Sequence, residues 1–568
     1  MKRILYVILV LLLLCGCAES DNDAVQISIL EADGFTVENN GQWVRPGEDA
    51  VFRLAMEPGL TVAGTDHPGG HSLRMDGGIL ELTLKAATYP ARIRLQLTDR
   101  FTTVTYSPNG GDGQETTLVY DLTHHARPNT EIDLFSREGH TLESWNTAPD
   151  GSGIRVGLGS RVAGGETLYA QWEKWSDISD FTYTAGVDIT ITGYHGAGDT
   201  IVIPALIDGK NVAAIGYDAF QNVRAKGLIL PVTMKHVAQG AFRNCAFESV
   251  TLFDSIENIS DDSFRNCPNL KTVQINAAQP PFGYGWRKES CYADKIELLV
   301  AAAGQKKLVC YGGCAMWYNL DGAQMQAAFS DFAVINLGLN GVVNSAIQMQ
   351  IMGAFLEEGD ILFHTPELTS SPQMMRSVTM DADDDKLWCG LENNYDLVRL
   401  VEFGTVPGLL DSFCDYLQKK DGVSDHSEIY TDSLGRSYLD TWGCIPFERT
   451  ETHEMLSDKV ELDPESLNSL EELGQSYGAI AAKGVRIYVG YACVNLDALP
   501  EAQRSNAALV DQLFREAVHG AVVISDLDDY LYRNDDFYDT NYHLRSDAAA
   551  RNTALWIRDL REEMEADA

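Results

Sequence analysis

The side chains best suited to chemistry in this sequence are a thiol, an imidazole and a carboxylate that lie far apart along the chain. Cys314 follows Gly312 and Gly313, directly after the apolar run Lys307–Tyr311. His543 stands four residues after Asp539, just ahead of the last helical stretch. A free thiol has a pKa of about 8.5 and reacts as the thiolate, and a neighbouring imidazole lowers that value. A cysteine after a buried strand is also an ordinary packed thiol, and that reading stands beside the reactive one. A different kind of thiol chemistry is suggested near the start, where Cys17 ends Leu14-Cys15-Gly16-Cys17. His364 and His519 read as structural. Cys389, Cys414, Cys444 and Cys493 have no motif around them. No CxxC pair or Cys/His metal spacing occurs, and the acidic run Asp381 to Asp385 lacks calcium-loop spacing and reads as a solvated loop. Neither a metal nor another cofactor is expected.

The elements that must position these residues are legible from about residue 295 onward. Lys307–Tyr311, Phe332–Asn336, Asp360–His364, Val485–Val489 and Gly520–Ser525 are buried-strand candidates. Ser345–Glu357, Pro500–Val518 and Ser546–Glu563 are helical stretches between and after them. This alternation predicts a three-layer α/β domain over 295–568, with a parallel sheet covered on both faces. Ligands then gather at the carboxyl ends of strands. Three segments fall there: Gly312–Trp317, Asn336–Asn340 and Phe537–Leu544.

This order and spacing resembles the SGNH hydrolase superfamily, especially exported bacterial branches that handle acyl groups on envelope polymers. Gly359–Phe363 and Pro366-Glu367 add to the likeness, which runs over roughly 305–563 and is weak through the middle. The resemblance implies that Cys314 stands where the nucleophilic serine is usual. It implies Asp539 and His543 as the acid and base, and Gly338, with Asn340, as oxyanion donors. In that arrangement the carboxylate orients an imidazole that takes the nucleophile's proton. The family's separate block with an oxyanion asparagine has no clear match; the third strand ends in His364-Thr365-Pro366 instead.

Upstream the grammar differs. Over 24–100, Val25–Leu30, Ala50–Ala55, Leu80–Leu84 and Ile93–Leu97 alternate apolar and polar residues between Gly and Pro clusters, predicting a β-sandwich-like module. Residues 101–174 resemble the Listeria–Bacteroides repeat through Val104–Tyr106, Asn109–Gly111, Arg137–His140, Ser144–Thr147, Asp150–Gly153, Gly159 and Thr167–Trp172. The resemblance implies a compact, ubiquitin-like β-rich module. Tyr106, Trp145, Tyr169 and Trp172 are expected to fill its core. Over 175–277, Ala219–Asn222, Ala241–Cys245 and Ser263–Cys267 repeat one pattern, with Phe220, Phe242 and Phe264 evenly spaced. Such a period indicates a leucine-rich-repeat solenoid. Its details, with the lead-in Ile189–Tyr194 and Ile201–Pro204, resemble the BspA-type repeat. Cys245 and Cys267 take equivalent places in neighbouring coils, as stacked buried thiols or as a disulfide. Residues 278–294, with Pro280-Pro281, Gly283 and Gly285, read as a linker.

The N-terminus sets the address. Lys2 and Arg3 precede the apolar run Ile4–Leu14. That run is shorter than the roughly 20 residues that cross a bilayer and fits a signal peptide, residues 1–16. Leu14–Cys17 resembles a bacterial lipobox, which implies Cys17 as the lipidated first residue of the mature chain. Ordinary secretion without lipid is the alternative. The eleven cysteines, less Cys15 and Cys17, leave an odd number, which argues against a dense disulfide scaffold. The formal charge of −39, from 43 basic and 82 acidic residues, argues against nucleic acid as a partner. The expected whole is a multidomain, extracytoplasmic lipoprotein held to the membrane by its N-terminal lipid. Its C-terminal domain is expected to act on acyl groups of extracellular glycans or envelope polymers. The rival expectation is a surface adhesion protein that binds a glycan or protein ligand and whose SGNH-like domain is degenerate.

Overall fold

Alternating burial organises the first part of the chain in the computed structural model. It describes residues 24–566 apart from short stretches and the longer segments 122–132, 279–291, 340–344, 368–384, 421–440 and 453–459. Cys17 and the signal peptide, Asn340, most of the expected linker and Asp381–Asp384 lie outside the described residues. By contacts the chain divides into two units: 1–105 with 116–123 and 164–166, and the remainder.

In the first unit, Glu48–Met56 and Ile79–Ala87 pair antiparallel at the centre of a four-stranded sheet. A second sheet has Val25–Ile29 between Gln42–Val44 and Ala91–Ile93. Every second residue points inward, so Ile27, Phe52, Leu54, Leu80, Leu82 and Leu84 form one core.

The second unit opens on antiparallel strands His140–Asn146, Arg155–Gly157 and Thr167–Lys174. Tyr106 and Trp145 are fully buried, with ring centroids 4.7 Å apart. The expectation for the other two aromatics needs correcting. Leu168 and Ala170 are buried in the last strand, while Tyr169 and Trp172 are half-buried. The two-residue period puts Tyr169 on the opposite face, and Trp172 lies over Gly111 and donates to Pro108 O at 2.8 Å.

A stack of coils follows. Thr200–Val202, Gly227–Ile229, Ser249–Phe253 and Thr272–Asn276 form a parallel sheet, one strand per coil. Phe220, Phe242 and Phe264 stack inside it at 5.4 and 4.8 Å. Asn222, Asn244 and Asn266 all have positive φ and form a side-chain ladder with 3.2 Å rungs. Cys245 and Cys267 are free thiols that donate to the carbonyls of Phe220 and Phe242 in the preceding coils. Stacked thiols, not a disulfide, occupy these positions.

In the α/β domain, β1 (Lys307–Gly312), β2 (Ala333–Asn336), β3 (Ile361–Thr365), β4 (Arg486–Val489) and β5 (Val522–Val523) make an all-parallel sheet in the order 2-1-3-4-5. Burial of every residue of β1 and β3 explains why their sequences are apolar runs with no alternation. Helix α1 (Cys314–Asn319) follows β1 and packs on the final helix, α4 (Ser546–Ala566). Helix α2 (Ser345–Ala354) packs on Leu470–Ala481, and α3 (Leu409–Lys420) completes the labelled helices. The solenoid and this domain share one continuous hydrophobic core. Phe264 of the last coil meets Phe403, and Asp261 accepts from the amides of Gly408 and Leu410. Among the described residues, no helix is long and apolar enough to cross a membrane.

Candidate functional site at the carboxyl ends of β1 and β3

A sheet in the order 2-1-3-4-5 has its topological switch point between β1 and β3, where ligands bind in open α/β sheets. Gly312 and Thr365 are register partners at the ends of these strands. The chain turns sharply after Gly312, and Gly313 caps α1, so Cys314 is the first helical residue. Two residues past Thr365 comes Glu367. Its Oε1 accepts from Ala315 N at 2.8 Å and from Cys314 Sγ at 3.5 Å. Burial raises the Glu367 carboxyl above the usual carboxylate range, against the pull of these two bonds.

The second limb of the site is the loop before α4. His543 is buried, and its Nδ1 lies 2.7 Å from Asp539 Oδ1. With the proton on Nδ1, that bond leaves Nε2 as the ring's basic nitrogen. The ring stacks on Tyr318 with centroids 3.6 Å apart and planes within 3°. Tyr318 belongs to α1, one turn after Cys314, about 6 Å along the axis. Asn319 at the end of the helix ties the two limbs together. Its Nδ2 donates to Tyr542 O, and its Oδ1 accepts from Leu544 N, each at 2.8 Å. These are the residues on either side of His543. Arg449 adds a second clamp, donating to Tyr318 O at 2.6 Å and to Leu544 O at 3.0 Å. The helix bearing Cys314 and the loop bearing Asp539 and His543 are therefore one rigid assembly.

The glycine that the SGNH resemblance assigns to oxyanion binding does something else in this structure. Gly338 N donates to Asn336 Oδ1 at 2.7 Å, and both residues are buried. Its carbonyl accepts from Lys295 Nζ. A Cβ at Gly338 would collide with the Trp317 backbone, so glycine lets α1 approach β2. His364 is buried: its Nδ1 meets Tyr477 Oη at 2.6 Å, and burial pulls its pKa down to about 3. Cys310 is buried and its pKa raised. Cys493 is also buried and raised, and accepts from Asn319 at 3.1 Å. Sequence reasoning gave no role to Tyr318, Asn319, Glu367 or Arg449. Only Glu367 carried a signal, as part of the Pro366-Glu367 pair that adds to the SGNH likeness. Among the described residues, no cluster of histidine, cysteine and carboxylate side chains suited to a metal occurs.

Comparison with known proteins bears on the solenoid. No curated protein matches the chain. Among solved structures, a leucine-rich repeat protein of T. pallidum matches at 22% identity, covering 18% of this chain and 71% of that one, with a TM-score of 0.13. The family model for the BspA type leucine rich repeat region matches residues 200–283 in six copies. The coils around Phe220, Phe242 and Phe264 are thus a BspA-type leucine-rich-repeat region.

Proposed function

We propose that this chain is a surface lipoprotein whose C-terminal domain transfers or hydrolyses acyl groups, such as acetyl esters, on extracellular glycans or envelope polymers. The observation that carries the reading is the bolted pair of limbs: Asp539 and His543, bonded at 2.7 Å in one loop, with the histidine ring stacked on Tyr318 of the helix that begins at Cys314. The switch-point position of Cys314 and the SGNH-like order of the sequence support it. In this mechanism His543 Nε2 takes the Cys314 proton as sulfur attacks the ester carbonyl. The tetrahedral species collapses, the C–O bond breaks, and the alcohol leaves with the proton from the imidazolium. A thioester on Cys314 remains. Water or an acceptor hydroxyl, deprotonated by His543, attacks it and releases the thiol. Asp539 holds the ring and stabilises its cation. Gly338 is not used as an oxyanion donor here, because its N–H is engaged by Asn336.

The test is hydrolysis of p-nitrophenyl acetate by the whole chain. Cys314→Ala and His543→Ala should each abolish turnover above background, and Asp539→Asn should lower it by about 10³-fold or more. Equal turnover in wild type and Cys314→Ala sinks the catalytic reading. A binding role through the solenoid is the second reading, favoured by the BspA-type region itself. The anchor is tested by mass spectrometry of the mature N-terminus, where an unmodified first residue other than Cys17 rules it out.

A further inference from the structure

The thiol that the proposed function makes a nucleophile has a carboxyl group built against it. Three consecutive residues are fitted around Glu367. Cys314 Sγ and Ala315 N both donate to Oε1. A Cβ at Gly313 would collide with both carboxyl oxygens. Gly313 has φ −77 and ψ −156, extended backbone that other residues adopt. Glycine is therefore needed there to admit Glu367, not to make the turn. We propose that Glu367 is a positioning residue that holds Cys314 as a protonated, donating thiol and covers the Ala315 amide, so that the nucleophile is released when Glu367 is neutralised or displaced.

This rests on Cys314 being the nucleophile. An ionised carboxylate beside a thiol disfavours the thiolate, and removing the charge removes that penalty. The proton that neutralises Glu367 comes from solvent; the thiol proton still goes to His543 during attack, so no other reactant is required. Cys314 of α1 donates to Glu367, and Cys493, after β4, feels its charge. Burial raises the Cys493 thiol first and the Glu367 charge raises it further, so Cys493 stays neutral and does not compete for the proton. Burial raises the carboxyl, so the release comes at a higher pH than a free glutamate would give.

The experiment is iodoacetamide labelling of Cys314 in the whole chain between pH 4.5 and 8, followed by peptide mass spectrometry, with folding checked by circular dichroism. Glu367→Gln keeps the acceptor oxygen and removes only the charge. It should label about tenfold faster than wild type at pH 7.5, the effect of one pKa step, and the gap should close as pH falls through the Glu367 titration. Gly313→Ala, which displaces the carboxyl, should reproduce the faster labelling and decides the matter if the glutamine variant does not fold. Equal rates at every pH, or a gap that does not close in acid, overturn the inference. Ester turnover by Cys314→Ala separates the two failures. Turnover lost without a pH-dependent labelling gap removes Glu367 and leaves the proposed function. Turnover unchanged removes both.

Discussion

His364 shows how a single buried ring makes the protein sensitive to acid. It sits in β3 with Nδ1 on Tyr477 Oη and a pKa of about 3, against an ordinary value of 6.5. Its folded pKa is depressed, so its contribution is fully present above pH 6.5. It is lost as pH falls toward 3, because the unfolded chain binds a proton that the folded chain refuses. The slope approaches about 1.4 kcal/mol per pH unit. Urea denaturation at pH 6 and pH 4 should show wild type losing about 2–3 kcal/mol more than His364→Gln over that interval; equal losses would show that the ring is protonated without penalty. Legibility at this scale divided sharply. Cys314, Asp539 and His543 could be picked out because a Gly-Gly-Cys turn and an i,i+4 pair are local patterns. Asn319 and Arg449 could not, since their partners Leu544 and Tyr318 lie 225 and 131 residues away in sequence.

Among the elements, the coil and the central strands each depend on a polar anchor. Asn244 holds positive φ and both accepts and donates in the asparagine ladder. Asn244→Ala should destabilise the solenoid by about 1–2 kcal/mol in thermal melting, through backbone strain and lost bonds. Asn244→Gly, which relieves the strain, should cost less; if the two variants are equally destabilised, the left-handed backbone is not the reason for asparagine. In the sheet, Asp360 caps the start of β3 and accepts from both the backbone and Nζ of Lys307, with both side chains almost fully buried. Asp360→Ala strands a buried ammonium and should cost about 3–5 kcal/mol by denaturant unfolding. The strands and coils were legible because their patterns are periodic: buried runs for β1 and β3, recurring Phe and Asn for the solenoid. The half-burial of Tyr169 and Trp172 was not, because large aromatic residues suggest a core whichever face they stand on.

For the second unit as a whole, the shared core changes what a seam means. Pro280-Pro281 and the nearby glycines suggest a linker, yet the last coil and the α/β domain are packed together through Phe264, Phe403 and Asp261. A protease site engineered at residue 285 should therefore yield two pieces that still co-elute in size exclusion, with the solenoid and the α/β domain melting together in one calorimetric transition. Separate elution would show that the interface does not hold without the covalent link. Sequence composition marks where chain direction changes and cannot show whether the parts on either side bury surface against each other. The seating of the last coil also limits how the repeat array can change over evolutionary time. Thr272 bridges to Glu402, and Lys271 O accepts from Phe403 N, so that coil has a face that fits this domain and no other coil. Duplication or loss of an interior coil leaves that face unchanged, whereas a copy appended after it would have to recreate every one of these contacts. Length variation among descendants of this gene should therefore accumulate on the N-terminal side of Asp261, with the final coil kept as a fixed terminus.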